Sequence, residues 1–321
     1  MRRLISAAAR LVAAAALTAV TAMGAVAEDY PTKPIRFLVG FSAGDGLDLS
    51  ARIIAEKLST VIGQPVLVEN LPGASGMVAM RNMLASPADG YTILLMSPTL
   101  TIQSARGTDG FDIRRDVTPI IQQSSQALIM YVKKDGRFNT LPEFIAYAKA
   151  HPGELNFASL GVGSTPHLVM EQFKLTAGLD MVHIPFKGSA EAVTSILSGE
   201  VDTHLAGLIT VAPLIKEDKV VALAATTAED FQGIPGMKKG GVVGFDFPVW
   251  TGIGARSGTP DAVIRKLNAA INQVYDDPEV IAKFAHLYPL VGGDPEPFAA
   301  IVNREVGAWL DVIEKAGIKF Q

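Results

Sequence analysis

The chain contains no cysteine. That excludes a disulfide framework, thiol catalysis and a lipid-modified N-terminal cysteine. Positive charge is not in excess either: 28 Lys and Arg stand against 32 Asp and Glu, a net charge of −4. An acidic chain offers no electrostatic footprint for nucleic acid or for an anionic membrane surface. Short-period repeats, low-complexity tracts and long flexible linkers are also missing. No Gly-x-Ser-x-Gly nucleophile elbow occurs. Gly44-Asp45-Gly46 lacks the third glycine of a dinucleotide fingerprint, with Leu49 in its place, and no phosphate-loop Gly-Lys-Ser/Thr is present. No cofactor is implied.

What is there begins with a leader. Arg2, Arg3 and Arg10 make a positive start, Leu11 to Val20 is apolar, and Ala25-Val26-Ala27 is a small-x-small cleavage box. The apolar run is short of the roughly 20 residues of a spanning helix. We therefore expect a secretory signal peptide over residues 1–27, cleaved after Ala27, and a mature protein in the periplasm. The bare Arg2-Arg3 pair is weak evidence for twin-arginine export. Cleavage would leave 294 of 321 residues and, without three arginines that no acid balances, a net charge of −7. That length suits two domains of ordinary size.

The mature sequence alternates strand and helix. Ile35 to Val39 predicts a buried strand between Pro34 and Gly40. A loop, Phe41 to Asp48, leads into a helix in which Ile54, Leu58 and Val61 recur, with Asp48 as its expected cap and Gly63 as its stop. Val66 to Glu69 and Tyr91 to Met96 are further strands. Between them Pro72 to Gly76 turns into a helix ending near Ala85. The second half repeats this grammar: strands at 155–159, 181–185 and 220–225, a loop from Gly161 to Pro166, and a helix with Ala190, Val193 and Leu197 on one face. Ile264, Leu267, Ile271 and Val274 form one apolar stripe; Phe298, Ile301, Val302, Trp309 and Ile313 form another. Such units imply mainly parallel sheets flanked by helices. Apolar runs at 127–131 and 248–252 are the expected crossings between two blocks.

Two Gly/Ser-rich loops carry the chemistry. Phe41 to Gly46 and Gly161 to Thr165 each follow a strand and open a helix, where unpaired amides and the helix dipole favour an anion. One such loop alone would read as a tight turn; two equivalent ones point to a ligand. His167 and Glu171 share a helical face, but a metal needs further ligands, and no second close pair supplies them. The expectation for His167 is a residue that bonds loop groups or lines the pocket; for His183, a satisfied core residue. A secreted hydrolase using Ser164, His167 and Glu171 is the enzymatic alternative, disfavoured by their crowding at one helix start.

These residues resemble a known family over nearly the whole mature chain. Tyr30-Pro31-x-Lys33-Pro34-Ile35 and Phe41-x-Ala43-Gly44-x-Gly46-x-Asp48-x-x-Ala51-Arg52 are similar to the opening of the Bug (TctC-like) proteins, the extracytoplasmic receptors of tripartite tricarboxylate transporters. Gly63-Gln64-Pro65-Val66, Ala88-Asp89-Gly90-Tyr91-Thr92, Gly161-x-Gly163-Ser164-x-x-His167-Leu168, His183 to Gly188, Gly199-Glu200-Val201-Asp202 and Trp250-Thr251-Gly252 follow in order. The resemblance implies an α/β, two-lobed periplasmic-binding-protein fold of type II-like form, each lobe a mainly parallel sheet flanked by helices, joined by two crossing segments. Lobe 1 would be 28–127 with 249–321, and lobe 2 would be 128–248. It further implies a monomer that is no enzyme, captures a small carboxylate by hinge closure and docks to a membrane permease; a sensor kinase is the alternative partner. Carried over, the ligand-binding positions are Phe41, Ser42, Ala43, Gly44 and Gly46 from one lobe and Gly161, Val162, Gly163, Ser164, Thr165 and His167 from the other. Pro98, Thr99 and Asp202 are pocket-side positions with less support. The chain departs from the family pattern at Asp45, Leu47 and Phe186. An acid at Asp45 would repel a carboxylate unless it faces solvent, is paired, or meets a cationic group on the ligand. Bulk at Gly163, as in Gly163→Val, is expected to abolish binding while sparing the fold.

Overall fold

A computed structural model describes residues 30–186, 188–285 and 288–320. The proposed signal peptide lies outside these residues. Among them no helix is long and apolar enough to cross a membrane.

Two five-stranded sheets organise the chain. The first takes β1 (Ile35–Val39), β2 (Val66–Asn70), β3 (Thr92–Met96), β4 (Val117–Gln126) and β10 (Val249–Arg256) in the order β2-β1-β3-β10-β4. The second takes β5 (Leu128–Lys133), β6 (Asn156–Ser159), β7 (Val182–Pro185), β8 (Thr203–Gly207) and β9 (Val220–Ala225) in the order β7-β6-β8-β5-β9. The two orders are the same pattern. In each sheet three strands run parallel, and one antiparallel strand lies beside the third: β10 in the first sheet, β5 in the second. Each antiparallel strand is the first one formed after the chain enters from the other sheet. Mixed α/β sheets of this kind place ligand loops at the carboxyl ends of their parallel strands.

The strands read as they do because helices cover them. β3 is Thr-Ile-Leu-Leu-Met and every residue is buried, as expected of a strand packed on both faces. Helix α1 (Gly46–Ile62) buries Ala51, Ile54, Ala55 and Leu58 against the first sheet, and Gly63 in the left-handed region ends it. Asp45, not Asp48, caps this helix, its carboxylate accepting from the Leu47 amide. Asp45 alone has the extended backbone of a cap, while Asp48 already lies in the first turn. The other cavity-facing helices are α2 (Met77–Ala85), α3 (Pro98–Ala105), α6 (Thr165–Ala177), α7 (Ser189–Ser198) and α8 (Leu208–Lys216), with α4 (Ile113–Asp116) and α5 (Leu141–Ala150) between them in sequence. In α7 the buried face is Ala192, Ser195 and Ile196, and Ala190 is exposed. The expected face through Ala190, Val193 and Leu197 is thus rotated. Ser195 can be buried because its hydroxyl donates to the Ala192 carbonyl.

Helices α9 (Asp261–Tyr275), α10 (Pro278–Phe284) and α11 (Pro295–Lys315) return to the first sheet. The stripe Ile264, Leu267, Ile271 and Val274 is buried there. Helix α11 divides its loyalty. Phe298, Val302 and Val306 join a first-sheet cluster with Leu94 and Trp250, while Trp309 and Val312 join the second-sheet cluster with Phe157 and Phe173. One helix therefore ties both halves from behind.

Candidate ligand-binding site

The loops at the carboxyl ends of both sheets open on one cavity of about 530 Å³. The first half contributes Phe41 and Leu47 beside β1, Ser75 and Gly76 before α2, and Ser97, Pro98 and Thr99 at α3. Across from them stand Leu160, Ser164 and Thr165 at α6, Ser189 at α7, and Gly207 and Thr210 at α8. The crossing strands supply Gln126, Leu128, Val249, Trp250 and Thr251, and Tyr288 completes the wall.

Five helices thus begin at the cavity: α2 at Gly76, α3 at Ser97, α6 at Ser164, α7 at Ser189 and α8 at Gly207. None of the five has a side-chain cap hydrogen bond. Uncapped helix starts carry amides without intrahelical partners and a partial positive charge. Converging on one cavity, they offer it positive dipole ends without a charged side chain, an arrangement suited to an anion. Ser97 and Thr99 share a hydroxyl hydrogen bond of 2.7 Å. The Ser164 hydroxyl oxygen is buried and has no hydrogen-bond partner among the described residues.

The expected site residues divide. Phe41, Pro98, Thr99, Ser164 and Thr165 line the cavity. Ser42, Ala43, Gly44, Gly46, Gly161, Val162, Gly163, His167 and Asp202 are not in its lining. Several of these support it from behind. Gly44 donates its amide to Asp48 at 2.8 Å, and Asp48 also binds Arg52 and Asn70. Burial pushes the Asp48 carboxyl up, but Arg52, the Gly44 amide and Asn70 outweigh it and hold it below its usual range. The first loop therefore spends two amides, those of Gly44 and Leu47, on its own carboxylates. Gly46 backs the Tyr288 hydroxyl so closely that a Cβ there would lie 2.6 Å from it.

The second loop is braced by a neutral ring. Gly163 donates its amide to Nδ1 of His167 at 3.1 Å, so Nδ1 is an acceptor and the ring carries no charge. His167 stacks on His183 at 3.8 Å between centroids, and His183 stacks on Phe157. Burial, the neighbouring His183 and Lys174 push His167 down to about 3, and burial with Lys174 pushes His183 down to about 4. His183 is therefore a half-buried stacking residue bonded to Ser159 at 2.6 Å, rather than a core residue. Gly163, at φ 80°, faces the Phe320 ring, 2.8 Å from a Cβ placed there. Gly163→Val would therefore strike the C-terminal segment, so it does not test binding cleanly. Asp202 precedes β8, pairs with Arg137 and accepts the Asn156 amide at 2.8 Å, a strand-start clamp.

No hydrolase triad is assembled among the described residues. The Ser164 hydroxyl lacks a partner, His167 Nδ1 is taken by Gly163, and Glu171 pairs with Lys174 at 2.9 Å. His204 lines the cavity with Nδ1 3.0 Å from the Ala158 carbonyl, and burial lowers it to about 4.

Behind Trp250 lies a buried carboxyl. Glu305 of α11 receives the Trp250 indole N–H at 3.0 Å and lies 2.6 Å from the Thr101 hydroxyl, which in turn receives the Trp309 N–H at 3.1 Å. The Thr101 hydroxyl also donates to the Pro98 carbonyl at 2.7 Å. With Glu305 protonated, its O–H donates to Thr101 and every member is satisfied. Burial raises this carboxyl to about 7, against the lowering effect of its contacts with Thr101 and Trp250.

Comparison with known proteins decides the family. The sequence profile described as "Tripartite tricarboxylate transporter family receptor" (TctC) matches residues 50–318. The chain belongs to this receptor family. The Bordetella pertussis protein BugT is 30% identical over 303 residues, covering 92% of this chain and 93% of BugT. Among solved structures, R. palustris Rpa4515 with adipate is 30% identical, covers 90% of this chain and 99% of its own, and superposes with a TM-score of 0.75. MatC (Rpa3494) from Rhodopseudomonas palustris with bound malate is 26% identical, covers 88% of this chain and 100% of its own, and has a TM-score of 0.73. The TctC receptor fold, two mixed sheets with a cleft between, is thus the fold of this chain. Sequence reasoning missed Tyr288, Ser189, Gly207 and Thr210 as lining residues. The repeated strand-turn-helix order was the signal that could have found the last three; nothing local marks Tyr288.

Proposed function

We propose that this TctC-family receptor captures a small organic carboxylate in the cavity between its sheets and hands it to a membrane permease of the tripartite tricarboxylate type. The observation that carries this reading is the convergence of five uncapped helix starts, with the orphaned Ser164 hydroxyl among them, on one uncharged cavity. Two relatives hold adipate and malate in their solved structures, which supports the ligand class. Capture would follow hinge closure of lobe 1 (28–127 with 249–321) on lobe 2 (128–248) about the two crossings. Closure removes water and strengthens amide–carboxylate hydrogen bonds. The leader would place the receptor in the periplasm, acting as a monomer.

A thermal-shift screen of mono- and dicarboxylates tests the reading, because a ligand that prefers the native state raises its melting temperature. At least one acid should do so, and titration calorimetry should give one site per chain. A screen in which no carboxylate raises the midpoint refutes it.

A further inference from the structure

The cavity lining combines hydroxyls and helix starts with apolar and aromatic side chains. Its hydroxyls and uncapped helix starts lie along Thr99, Ser164, Thr165 and Ser189. The remaining wall includes Phe41, Leu47, Leu160, Val249, Trp250 and Tyr288. Among the described residues no Lys, Arg, Asp or Glu lines it. Its two titratable members are Tyr288 and His204, and His204 is held neutral by burial.

The β1–α1 side is also closed to a second anion. There the Leu47 and Gly44 amides already bind Asp45 and Asp48. Asp48 is balanced by Arg52, whereas Asp45 has no ion-pair partner among the described residues. Asp45 is exposed and adjoins Gly46, whose backbone packs on the Tyr288 hydroxyl. Burial first, and the Asp45 charge second, push the Tyr288 hydroxyl up, so that charge is felt at the cavity wall.

Resting on the receptor reading above, we propose that the ligand is a monocarboxylate with an uncharged, apolar or aromatic body, its acid group at the uncapped starts of α3, α6 and α7 and its body against Phe41, Leu47 and Tyr288. A second carboxylate carried on that body would meet the Asp45 field at the β1–α1 loop, where the Gly44 and Leu47 amides are already taken and cannot replace its lost water. A cationic tail would give up its water beside apolar side chains, and no acid among the described residues lines the cavity to pair with it.

A matched series tests this by titration calorimetry on the mature chain: 4-methylphenylacetate, 4-(carboxymethyl)benzoate and 4-(aminomethyl)phenylacetate. These share a ring and one acid arm and differ in the charge of the far end. The methyl compound should bind at least ten-fold tighter than either charged analogue. Asp45→Asn, which keeps the helix cap, should narrow the gap to the dicarboxylate at least three-fold, with an unchanged circular dichroism spectrum. Equal or tighter binding of the dicarboxylate, or of the aminomethyl compound, overturns the proposal, as does an unaltered gap in Asp45→Asn. Silence of all three beside a hit from a short aliphatic dicarboxylate also overturns it, while leaving the carboxylate reading intact. Silence of the wider screen as well defeats both.

Discussion

The β1–α1 loop and the β6–α6 loop occupy equivalent places in two sheets of the same strand order, yet they use their amides differently. The first loop folds its own carboxylates back onto itself: Asp45 takes the Leu47 amide and Asp48 takes that of Gly44. The second is braced by a neutral imidazole, His167 on the Gly163 amide, and leaves the Ser164 hydroxyl unpartnered at the cavity. A shared scaffold therefore does not impose a shared electrostatic offer. The side chain that closes each loop decides whether that half presents an amide end or a negative charge to a ligand.

Acid should separate the halves most strongly. His167, His183 and His204 belong to the second half, and their folded-state values of about 3, 4 and 4 lie below the ordinary histidine value of 6.5. The unfolded chain binds more protons than the native one in that interval, so stability is full above pH 6.5 and is lost as pH falls toward 4. Hydrogen exchange followed from pH 7 to pH 4 should show amides of β6, β7 and α6 opening before those of β1 and β3. Simultaneous opening would break the contrast.

Asp48→Ala attacks the first loop. It empties a buried position and removes the acceptor of the Gly44 amide, the Arg52 guanidinium and one Asn70 N–H, at a cost of about 1–3 kcal/mol, read as a lower denaturant midpoint. The partly exposed Arg52 keeps its water, which places the effect at the lower end for a broken buried pair.

Glu305 responds on the opposite limb of pH. Its folded value of about 7 stands above the unfolded 4.5, so the native state holds the extra proton between the two. Its contribution is complete below pH 4.5 and fades as pH rises through 7, by about 3 kcal/mol. Glu305→Gln should remove the decline of the melting temperature that this proton causes between pH 4.5 and pH 7. A decline that persists would mean that α11 is held by something other than this proton.

Ser164→Ala has the smallest expected effect and the sharpest meaning. Removing an unpartnered hydroxyl should leave the melting temperature of the unliganded protein within about 1 °C, while carboxylate affinity falls about ten-fold, the equivalent of one hydrogen bond of about 1.4 kcal/mol. Unchanged affinity would remove the second loop from the site.

Much of the architecture was legible because it depends on local pattern. A strand such as Thr92 to Met96, buried on both faces, must be apolar throughout, and the stripe from Ile264 to Val274 repeats with the period of a helix. The strand-loop-helix grammar pointed to Phe41, Ser164 and Thr165 at a cavity. Pattern failed where two candidates compete within one turn. Asp45 and Asp48 are both able to cap α1, and the backbone conformation at Asp45 selects between them. It failed again on α7, where a serine bonded to its own helix fills a buried position that hydropathy reserves for an apolar residue.

Sequence alone determined the two-block α/β order, the acidic cysteine-free surface and the loops at the strand ends, since each depends on residue type and short-range spacing. Tertiary structure decided which amides in those loops remain for a ligand. That choice depends on partners brought together across the fold: Tyr288 packs on Gly46, His183 stacks on His167, and Glu305 reaches Trp250 from the far end of the chain. No spacing rule contains those meetings, because burial in a common core, rather than neighbourhood in the chain, brings them about.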